Sequence, residues 1–470
     1  MSEATSTSIT APEKKYFIRK GVREYDPITF TVPESDTEEL APGEIEEIRK
    51  SVAVCPPREV LGISEVNSTF KAGNYVGAVW LIEGKRPLFV LPKIDNLDML
   101  ALAGCVLASR ANRGRFRECF WYDRAAEPID LATEAPNRNI WVLELILFMW
   151  DLYDFSRKHL KQNFHKIEEN LTGKVKGKLD LSNTVRRNLV KAHPERAYCR
   201  YTVLTKNIKE NQVLKLAFDI CRNMLHGNRD VITDDFNRIN REIASNMQGI
   251  ETQPYSAGLF RGLRYSGMFS VYKHIHRSAK SIIRKYHNIL AHTDESEAKI
   301  RKNMTLPFSI DMNRLFELYV GRQLEIHSAD TRWQCQLPLY IRNENNKHFS
   351  VQPDYLGVKE DIIVVDAKYK SIFGQLVGDG DGFYLESGGP VVIKHSDIYQ
   401  ILAYAKLIGE GLSHMPTGDN RQVTGILYYP AVGNAGGNKD MLDRGKGLFL
   451  TIDGGRIRIY IKPLFCPGIT

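Results

Sequence analysis

The stretch Gln352-Pro353-Asp354-Tyr355 is followed, after a short polar turn, by Ile362-Ile363-Val364-Val365-Asp366-Ala367-Lys368-Tyr369-Lys370. Both stretches are typical of β-strands, and the polar residues between them favour a hairpin. Side chains alternate between the two faces of a strand, so Asp366 and Lys368 point the same way. The hairpin therefore predicts that Asp354 and Asp366 converge, with Lys368 beside them.

Two converging carboxylates and a lysine suggest metal-dependent hydrolysis. Mg²⁺ prefers oxygen ligands and is often held by one or two carboxylates, with water and substrate phosphate completing its coordination. An ammonium group beside this cation can orient a water molecule and offset charge that develops on phosphate oxygens. This is the arrangement of divalent-metal nucleases of the PD-(D/E)xK type. The alternative is structural, because an Asp-Ala-Lys sequence after an apolar strand is common at a solvated sheet rim.

Two predicted helices flank the hairpin in the sequence. In Ile310 to Ile326 the apolar residues recur at helical spacing, and Glu317 is either a third acid turned toward the sheet or a surface glutamate. In Asp397 to Ala405, Gln400 and Tyr404 are four residues apart and share a helix face. They flank the site, or Tyr404 is a core tyrosine beside an incidental glutamine.

Two strand-like segments follow, Thr424 to Tyr429 and Gly447 to Ile452, and we expect them to continue the sheet.

Taken together, these segments resemble the McrC-type nuclease subunit of restriction systems directed against modified cytosine. The resemblance depends on Asp311 to Val320, Pro353-Asp354, Asp366 to Lys370 and Gln400 to Tyr404, with weaker echoes upstream in Gly77 to Leu81, Leu88 to Ile94, Gly173 to Leu179 and Asn211 to Lys215.

The resemblance implies a DNA endonuclease that works with a partner. Its catalytic residues would be Asp354, Asp366, Lys368 and, less securely aligned, Glu317. The three acids would bind Mg²⁺, for which Mn²⁺ can substitute. Gln400, Tyr404 and Lys370 would contact DNA or flank the site.

The partners implied are duplex DNA and a McrB-type AAA+ GTPase or ATPase hexamer. That ring would recognise the modified base, receive the N-terminal half of this chain in its central pore, and be stimulated by it. We expect no nucleotide bound by this chain itself, because it has no Gly-x-x-x-x-Gly-Lys-Ser/Thr sequence.

The overall pattern predicts an α+β and α/β multidomain protein. We expect a disordered tail over residues 1–14, a mostly β domain over 15–96, a mainly helical middle domain for partner docking over 97–309, and a PD-(D/E)xK endonuclease domain over 310–470. In the last domain, a mixed sheet would be flanked by helices. The glycine-rich segment 374–389 is expected to be a mobile insertion bordering the DNA groove.

Composition describes an ordinary soluble protein with a mild preference for polyanions. The 470 residues carry a net charge of +8, and the seven cysteines have no zinc-binding spacing. The N-terminus has no apolar core, and the longest apolar run is too short to span a bilayer. We therefore expect a cytoplasmic protein without membrane contact.

Two other functions fit the same sequence. The chain could be a non-catalytic adaptor that activates an NTPase ring. Alternatively, it could be a nuclease that acts on RNA.

Overall fold

The computed structural model describes residues 17–54, 62–66, 69–122, 129–130, 142–226, 234–256, 258–291, 304–305, 307–327, 331–335, 339–342, 348–370, 376–379, 382–385, 393–413, 422–432, 448–452 and 457–468. The chain divides into two compact units. The first joins Met1–Ile140 to Asn303–Thr470, and the second is Trp141–Lys302. The predicted disordered tail, residues 1–14, lies outside the described residues.

The N-terminal part of the first unit is mostly β. Its elements are β1 (Phe17–Arg19), β2 (Gly21–Arg23), β3 (Thr29–Phe30), β4 (Thr37–Glu39), α1 (Glu44–Val54), β5 (Ser64–Val66), β6 (Thr69–Lys71), β7 (Tyr75–Ile82) and β8 (Arg86–Leu91). The upstream segments Gly77 to Leu81 and Leu88 to Ile94 lie in a hairpin, because β7 and β8 pair antiparallel, with Gly84 at a φ of 71° in the turn. Only a residue without a β-carbon adopts this left-handed conformation at little cost. The strands enclose a core of Ile18, Val22, Ile28, Val79, Leu88 and Val90.

Two helices and two short strands complete this part of the chain: α2 (Met99–Ala108), α3 (Arg110–Cys119), β9 (Phe120–Tyr122) and β10 (Ile129–Asp130). Helix α2 begins after Asp98, whose Oδ1 accepts a hydrogen bond from the Ala101 N–H at 2.9 Å. This is a standard N-terminal cap, and it satisfies an amide that has no partner within the helix. Residues 97–140, which the apolar periodicity assigns to the middle domain, belong to the first unit.

The second unit contains α4 (Val142–Lys158), β11 (Asn163–Thr172), β12 (Lys178–Leu179), α5 (Leu181–Arg187), β13 (Arg196–Thr205), α6 (Lys209–His226), α7 (Asp234–Asn246) and α8 (Tyr272–Ala291). A mainly helical domain was expected here, but α4 ends at Lys158, and the chain then forms a sheet in the order β11-β13-β12. Phe164, Ile167 and Leu171 have helical spacing. Nevertheless, β11 pairs with β13 over ten residues, and this long-range pairing overrides the local pattern.

The C-terminal part of the first unit begins with β14 (Met304–Thr305), β15 (Phe308–Asp311) and α9 (Met312–His327). The remaining elements are β16 (Arg332–Cys335), β17 (Leu339–Arg342), β18 (His348–Val351), β19 (Tyr355–Val358), β20 (Ile362–Ala367), β21 (Leu376–Asp379), β22 (Gly382–Leu385), α10 (His395–Ser413), β23 (Val423–Val432), β24 (Leu448–Ile452) and β25 (Ile457–Cys466). Within the glycine-rich segment 374–389, the described residues form the antiparallel pair β21–β22.

A mixed sheet in the order β16-β19-β20-β23-β25-β24 forms the core of this part. Strands β19 and β20 are the predicted antiparallel hairpin, whereas β20, β23 and β25 are parallel. Neighbouring residues of β19 face opposite sides: the Tyr355 hydroxyl donates to the backbone oxygen of Glu317 on α9 at 3.1 Å, and Leu356 packs in the cluster that contains Ile401 of α10. The sheet therefore has a helix on each face.

Strand β15 connects the two parts of the first unit. It pairs antiparallel with β7 on one side and with β9 on the other, in a sheet ordered β2-β8-β7-β15-β9. Helix α9 follows β15 directly and contacts α2 and α3. The mixed α and β class is confirmed, while the expected three-domain arrangement stays a prediction. None of the helices in the described part of the chain combines the length and apolar character needed to cross a membrane.

We expect Gly321→Ala to lower the free energy of unfolding by about 1–3 kcal/mol, because overpacking a tight contact forces the neighbouring group to move. A β-carbon at Gly321 of α9 would overlap the phenol ring of Tyr355. Gly104→Ala on α2 is the control, since a β-carbon there meets nothing within 4 Å and alanine favours a helix. Urea unfolding followed by circular dichroism measures both. Equal midpoints for the two variants would contradict the proposed contact.

Candidate active site

The hairpin of β19 and β20 brings two aspartates together. Asp354 directly precedes β19, and Asp366 lies near the end of β20. Their neighbours Tyr355 and Val365 are partners in the antiparallel register. The Ala367 N–H donates a hydrogen bond to Asp354 Oδ2 at 2.7 Å. Asp366 itself is only 3% exposed. The arrangement predicted from period-two alternation is therefore present in the structure, whereas the roles of these residues stay predictions.

Lys368 lies where β20 ends. Its Nζ is 2.6 Å from Asp366 Oδ2, and its backbone N–H donates to the Tyr428 carbonyl oxygen at 2.8 Å. The backbone contact links the end of β20 to β23, which fixes the point from which the lysine side chain extends. Burial opposes protonation of this amine, but the charges of Asp366 and Asp354 outweigh burial and raise the pKa of Lys368. Lys368 is therefore a cation in this site.

The protein disfavours negative charge on the two aspartates. Burial raises the pKa of Asp354 well above its usual range, and the charges of Glu317 and Asp366 raise it further. Burial also raises the pKa of Asp366, although Lys368 counteracts this effect. Both shifts mean that the ionised carboxylates are poorly stabilised by the protein alone. A bound cation would favour their ionised forms.

Glu317, the expected third acid, is engaged by two arginines. Arg115 Nη2 lies 2.8 Å from Glu317 Oε1, and Arg314 Nη1 lies 2.8 Å and 2.6 Å from the two carboxylate oxygens. Glu317 is close enough for its charge to act on Asp354. Its carboxylate is nevertheless held by guanidinium groups. Sequence reasoning missed both arginines, and 202 residues separate Arg115 from its partner.

Asp354 and Asp366 are the two residues of the hairpin that could hold a divalent cation. In the residues that the structure describes, there is no group of three or more His, Cys, Asp and Glu side chains arranged to hold a metal. Mg²⁺ needs only one or two protein carboxylates, because it keeps several water molecules. Asp354 and Asp366 meet this requirement. Because their pKa values are raised, a bound cation would stabilise their ionised forms.

Lys370 is held by an acid that the sequence did not single out. Its Nζ lies 2.6 Å from both carboxylate oxygens of Asp397, near the start of α10. The Tyr429 hydroxyl donates to Asp397 Oδ2 at 3.0 Å. Asp397 is 4% exposed, whereas the Lys370 side chain keeps 34% of its surface exposed, so only the acid of this ion pair is buried. It joins the segment after β20 to helix α10 and strand β23, while DNA contact by Lys370 stays a prediction.

Gln400 and Tyr404 share a face of α10, as their spacing predicts. Gln400 Nε2 donates a hydrogen bond to the Tyr404 hydroxyl at 2.7 Å. Tyr404 is 7% exposed and belongs to the core cluster between α10 and the sheet. Tyr404 therefore packs in the core, while the position of the pair beside the site and its contact with DNA stay predictions.

The segment after β20 is also anchored on its other side. Tyr369, which lies between Lys368 and Lys370 in the sequence, is buried. Lys93 Nζ lies 4.3 Å from the centre of its ring. Lys93 follows β8, and its backbone N–H donates to Glu24 Oε2 at 3.0 Å. Burial raises the pKa of Glu24 to about 7. In the sequence, Lys93 belongs to the segment Leu88 to Ile94, which contributed to the family resemblance. That segment did not indicate a partner for Tyr369.

A family model described as "McrBC 5-methylcytosine restriction system component" matches residues 70–416. This range contains the hairpin, both flanking helices and the upstream echoes, and it confirms the resemblance drawn from those segments. No curated protein matches the sequence.

Two solved structures from Thermococcus gammatolerans are similar over much of the chain. One is the refined half-complex of McrB AAA+ hexamers with bound McrC, at 14% identity, 94% coverage of both chains and a TM-score of 0.39. The other is the cryo-EM structure of the McrBC complex, at 13% identity, with 66% of this chain and 88% of that chain covered and a TM-score of 0.29. The family assignment depends on the sequence match over residues 70–416.

We expect Asp354→Asn to change how stability depends on pH. Since the pKa of Asp354 is raised on folding, the native protein retains a proton that the unfolded chain releases as pH rises above about 4. The free energy of unfolding of the parent protein therefore falls as pH rises toward the native pKa. Asparagine has no such proton and can still accept from Ala367.

The variant should accordingly match the parent near pH 4 and exceed it by about 1–3 kcal/mol near pH 8. Unfolding midpoints measured in EDTA across this range test the expectation. Glu360→Gln, at an exposed acid in the turn of the same hairpin, is the control and should show the parent's slope. Parallel pH profiles for Asp354→Asn and the parent would refute the charge argument.

Proposed function

Because the chain belongs to the McrBC 5-methylcytosine restriction system component family, we propose that it is the metal-dependent DNA endonuclease subunit of such a system. It would hydrolyse phosphodiester bonds when assembled with a McrB-type NTPase ring that recognises modified DNA. The observation that supports this function most directly is the convergence of Asp354, Asp366 and Lys368 at the end of one hairpin. Buried acids with raised pKa values beside a lysine are typical of catalytic sites.

Each residue of the hairpin end has a distinct task in this proposal. Asp354 and Asp366 would hold Mg²⁺, which when bound supplies Lewis acidity and lowers the pKa of bound water. The Ala367 amide keeps Asp354 oriented. Lys368 stays protonated beside Asp366, so it acts as a hydrogen-bond donor and positive charge, not as a general base. Its contribution is to stabilise charge that develops on phosphate oxygens.

The second unit carries the surface that we assign to the ring. In the sheet of β11 and β13, Leu171 and Cys199 are the only buried residues of the two strands. Large apolar side chains are exposed around it, with Leu181 at 66% and Val190 at 76%. Such exposure commonly marks a protein interface. The ring must be a separate chain, because this sequence lacks a phosphate-binding loop.

The nuclease proposal is tested by Asp354→Asn and Lys368→Ala. Each should reduce Mg²⁺-dependent cleavage of modified duplex DNA by at least about a hundredfold, because each removes a group that acts on the metal or the transition state. Lys359→Ala, in the turn of the same hairpin, is the lysine control and should cleave normally. Assays contain the partner ring with GTP or ATP.

Nucleotide hydrolysis by the ring should be stimulated equally by all these variants. Parent-level cleavage by both site variants would refute the catalytic assignment. Preferential cutting of RNA would show the alternative nuclease function. Ring stimulation with no cleavage by the parent in Mg²⁺ or Mn²⁺ would instead show a non-catalytic adaptor.

The docking surface is tested by Leu181→Asp and Val190→Asp. A charge at an apolar interface resists desolvation, so we expect each variant to lose most stimulation of the ring. Val32→Asp, at a valine of the first unit that is 67% exposed, is the control for introducing a charge. Stimulation is measured as nucleotide turnover against concentration of this chain. Unchanged turnover with both variants would exclude this surface as the contact.

A further inference from the structure

A tight turn follows β20, and Tyr369 is its central residue. The Lys370 N–H donates to the Lys368 carbonyl oxygen at 2.9 Å, so these three residues form a γ-turn. The two lysine side chains extend to Asp366 and Asp397. Tyr369 itself is 3% exposed and packs elsewhere. The position of the Lys368 amine therefore depends on how firmly the Tyr369 ring is held.

The Tyr369 ring is held by a cation from the N-terminal strands. Lys93 Nζ lies 4.3 Å from the centre of this ring and 5.2 Å from that of Tyr25. The ring of Phe316 on α9 is a further neighbour of Tyr369, with the ring centres 6.2 Å apart. An ammonium group at these distances is attracted to a ring face, and more strongly where water is excluded. The Lys93 side chain keeps only 19% of its surface exposed.

A buried acid orients Lys93. The Lys93 backbone N–H donates to Glu24 Oε2 at 3.0 Å, and Lys93 Nζ lies 4.0 Å from Glu24 Oε1. The Glu24 side chain has no exposed surface, and its backbone N–H donates to the Leu91 carbonyl oxygen of β8 at 3.1 Å. The Tyr369 hydroxyl is also close enough to influence the pKa of this carboxyl. One acid therefore constrains the backbone and the amine of Lys93 and borders Tyr369.

Two features around Lys93 oppose stability. Burial raises the pKa of Glu24 to about 7, and an acid whose pKa rises on folding lowers stability at neutral pH. Tyr25 has a φ of 68°, a left-handed conformation that is unfavourable for an aromatic residue. Each feature brings a group against Lys93. Backbone strain and buried ionisable groups occur often at functional sites, which indicates a role for this cluster beyond packing.

We propose that Lys93 is a positioning residue for the cleavage reaction. By holding the ring of Tyr369, it fixes the backbone from which Lys368 extends toward the two aspartates. Glu24 and Tyr25 keep the ammonium group of Lys93 in place. This inference rests on the proposed nuclease function and adds to it a residue of the N-terminal strands that acts through Tyr369 and not on DNA.

Cleavage kinetics in the presence of the partner ring test this role. Lys93→Met removes the charge and should lower the maximal rate by about tenfold or more, because a small displacement of a catalytic group is costly. The DNA concentration that gives half the maximal rate should stay at the parent value. Lys93→Arg keeps a cation and should retain the rate. The control is Arg19→Met, which removes a cation 5.0 Å from the centre of the Phe30 ring in the same strands and should cleave normally.

Variants of Tyr369 test whether the ring is the point of contact. Tyr369→Phe keeps the ring and should cleave at about the parent rate. Tyr369→Leu removes the ring and should match Lys93→Met. Combining Tyr369→Leu with Lys93→Met should add no further loss, because both changes remove the same interaction.

Hydrogen exchange measured by mass spectrometry tests the contact without cleavage. In the full chain, without ring, DNA or metal, a peptide that covers residues 366–370 should exchange faster in Lys93→Met and Tyr369→Leu than in the parent. The reason is that the amides of Lys368 and Lys370 lose their fixed turn. Peptides from β23 and β25 should exchange as in the parent.

Parent exchange over residues 366–370 in Lys93→Met, or a parent maximal rate, would overturn the positioning role. Equal losses in Lys93→Arg and Lys93→Met would overturn the role of the charge. A raised half-saturating DNA concentration at the parent maximal rate would show that Lys93 contacts DNA instead. Failure of the nuclease assignment is recognised separately, by parent-level cutting in Asp354→Asn and Lys368→Ala, because exchange does not depend on cleavage. Urea midpoints of all variants exclude loss of the fold as the cause.

Discussion

The hydrogen bond from the Ala367 amide to Asp354 sets the geometry on which the rest of the site depends. It joins the residue before β19 to the last residue of β20 at 2.7 Å, so the hairpin places two carboxylates at one end. Burial raises the pKa of both acids, and the charges of Glu317 and Asp366 raise the pKa of Asp354 further. The fold thus holds two acids where their ionised forms are poorly stabilised, an arrangement that is often found at functional sites.

The segment after β20 is held from two sides by successive residues. Lys368 binds Asp366 and Lys370 binds Asp397, whereas Tyr369 is covered by Lys93 from the N-terminal strands. A change in either anchor would be transmitted to the amine of Lys368, because the three residues are adjacent in the chain. The N-terminal strands are therefore part of the support of the site, which agrees with their place in one compact unit with the C-terminal sheet.

Local periodicity was sufficient for much of the fold and for the hairpin end of the site. Alternation fixed which residues of β20 share a face, and apolar spacing located α9 and α10. It was insufficient wherever a contact joins distant segments. Arg115 meets Glu317 across 202 residues, and β15 is inserted between β7 and β9, so a boundary drawn at residue 310 separates a strand from its partners.

The same limit explains the sheet of the second unit. The residues of β11 carry a helical spacing, and only their pairing with β13 decides the outcome. Asp397 was overlooked for a related reason, since an acid in the first turn of a helix is common and its partners Lys370 and Tyr429 come from other elements. Side-chain pairing of this kind has no signature within a short window of sequence.

Charge pairing around the site singles out one acid. Asp366 has Lys368 at 2.6 Å, Asp397 has Lys370 at 2.6 Å, and Glu317 has Arg314 at 2.6 Å. In the described residues, no lysine or arginine nitrogen forms an ion pair with Asp354, whose direct partner is the neutral amide of Ala367. An added cation therefore gains most at Asp354, where existing charges compensate it least. The divalent cation proposed for this site would supply positive charge at this point, before the start of β19.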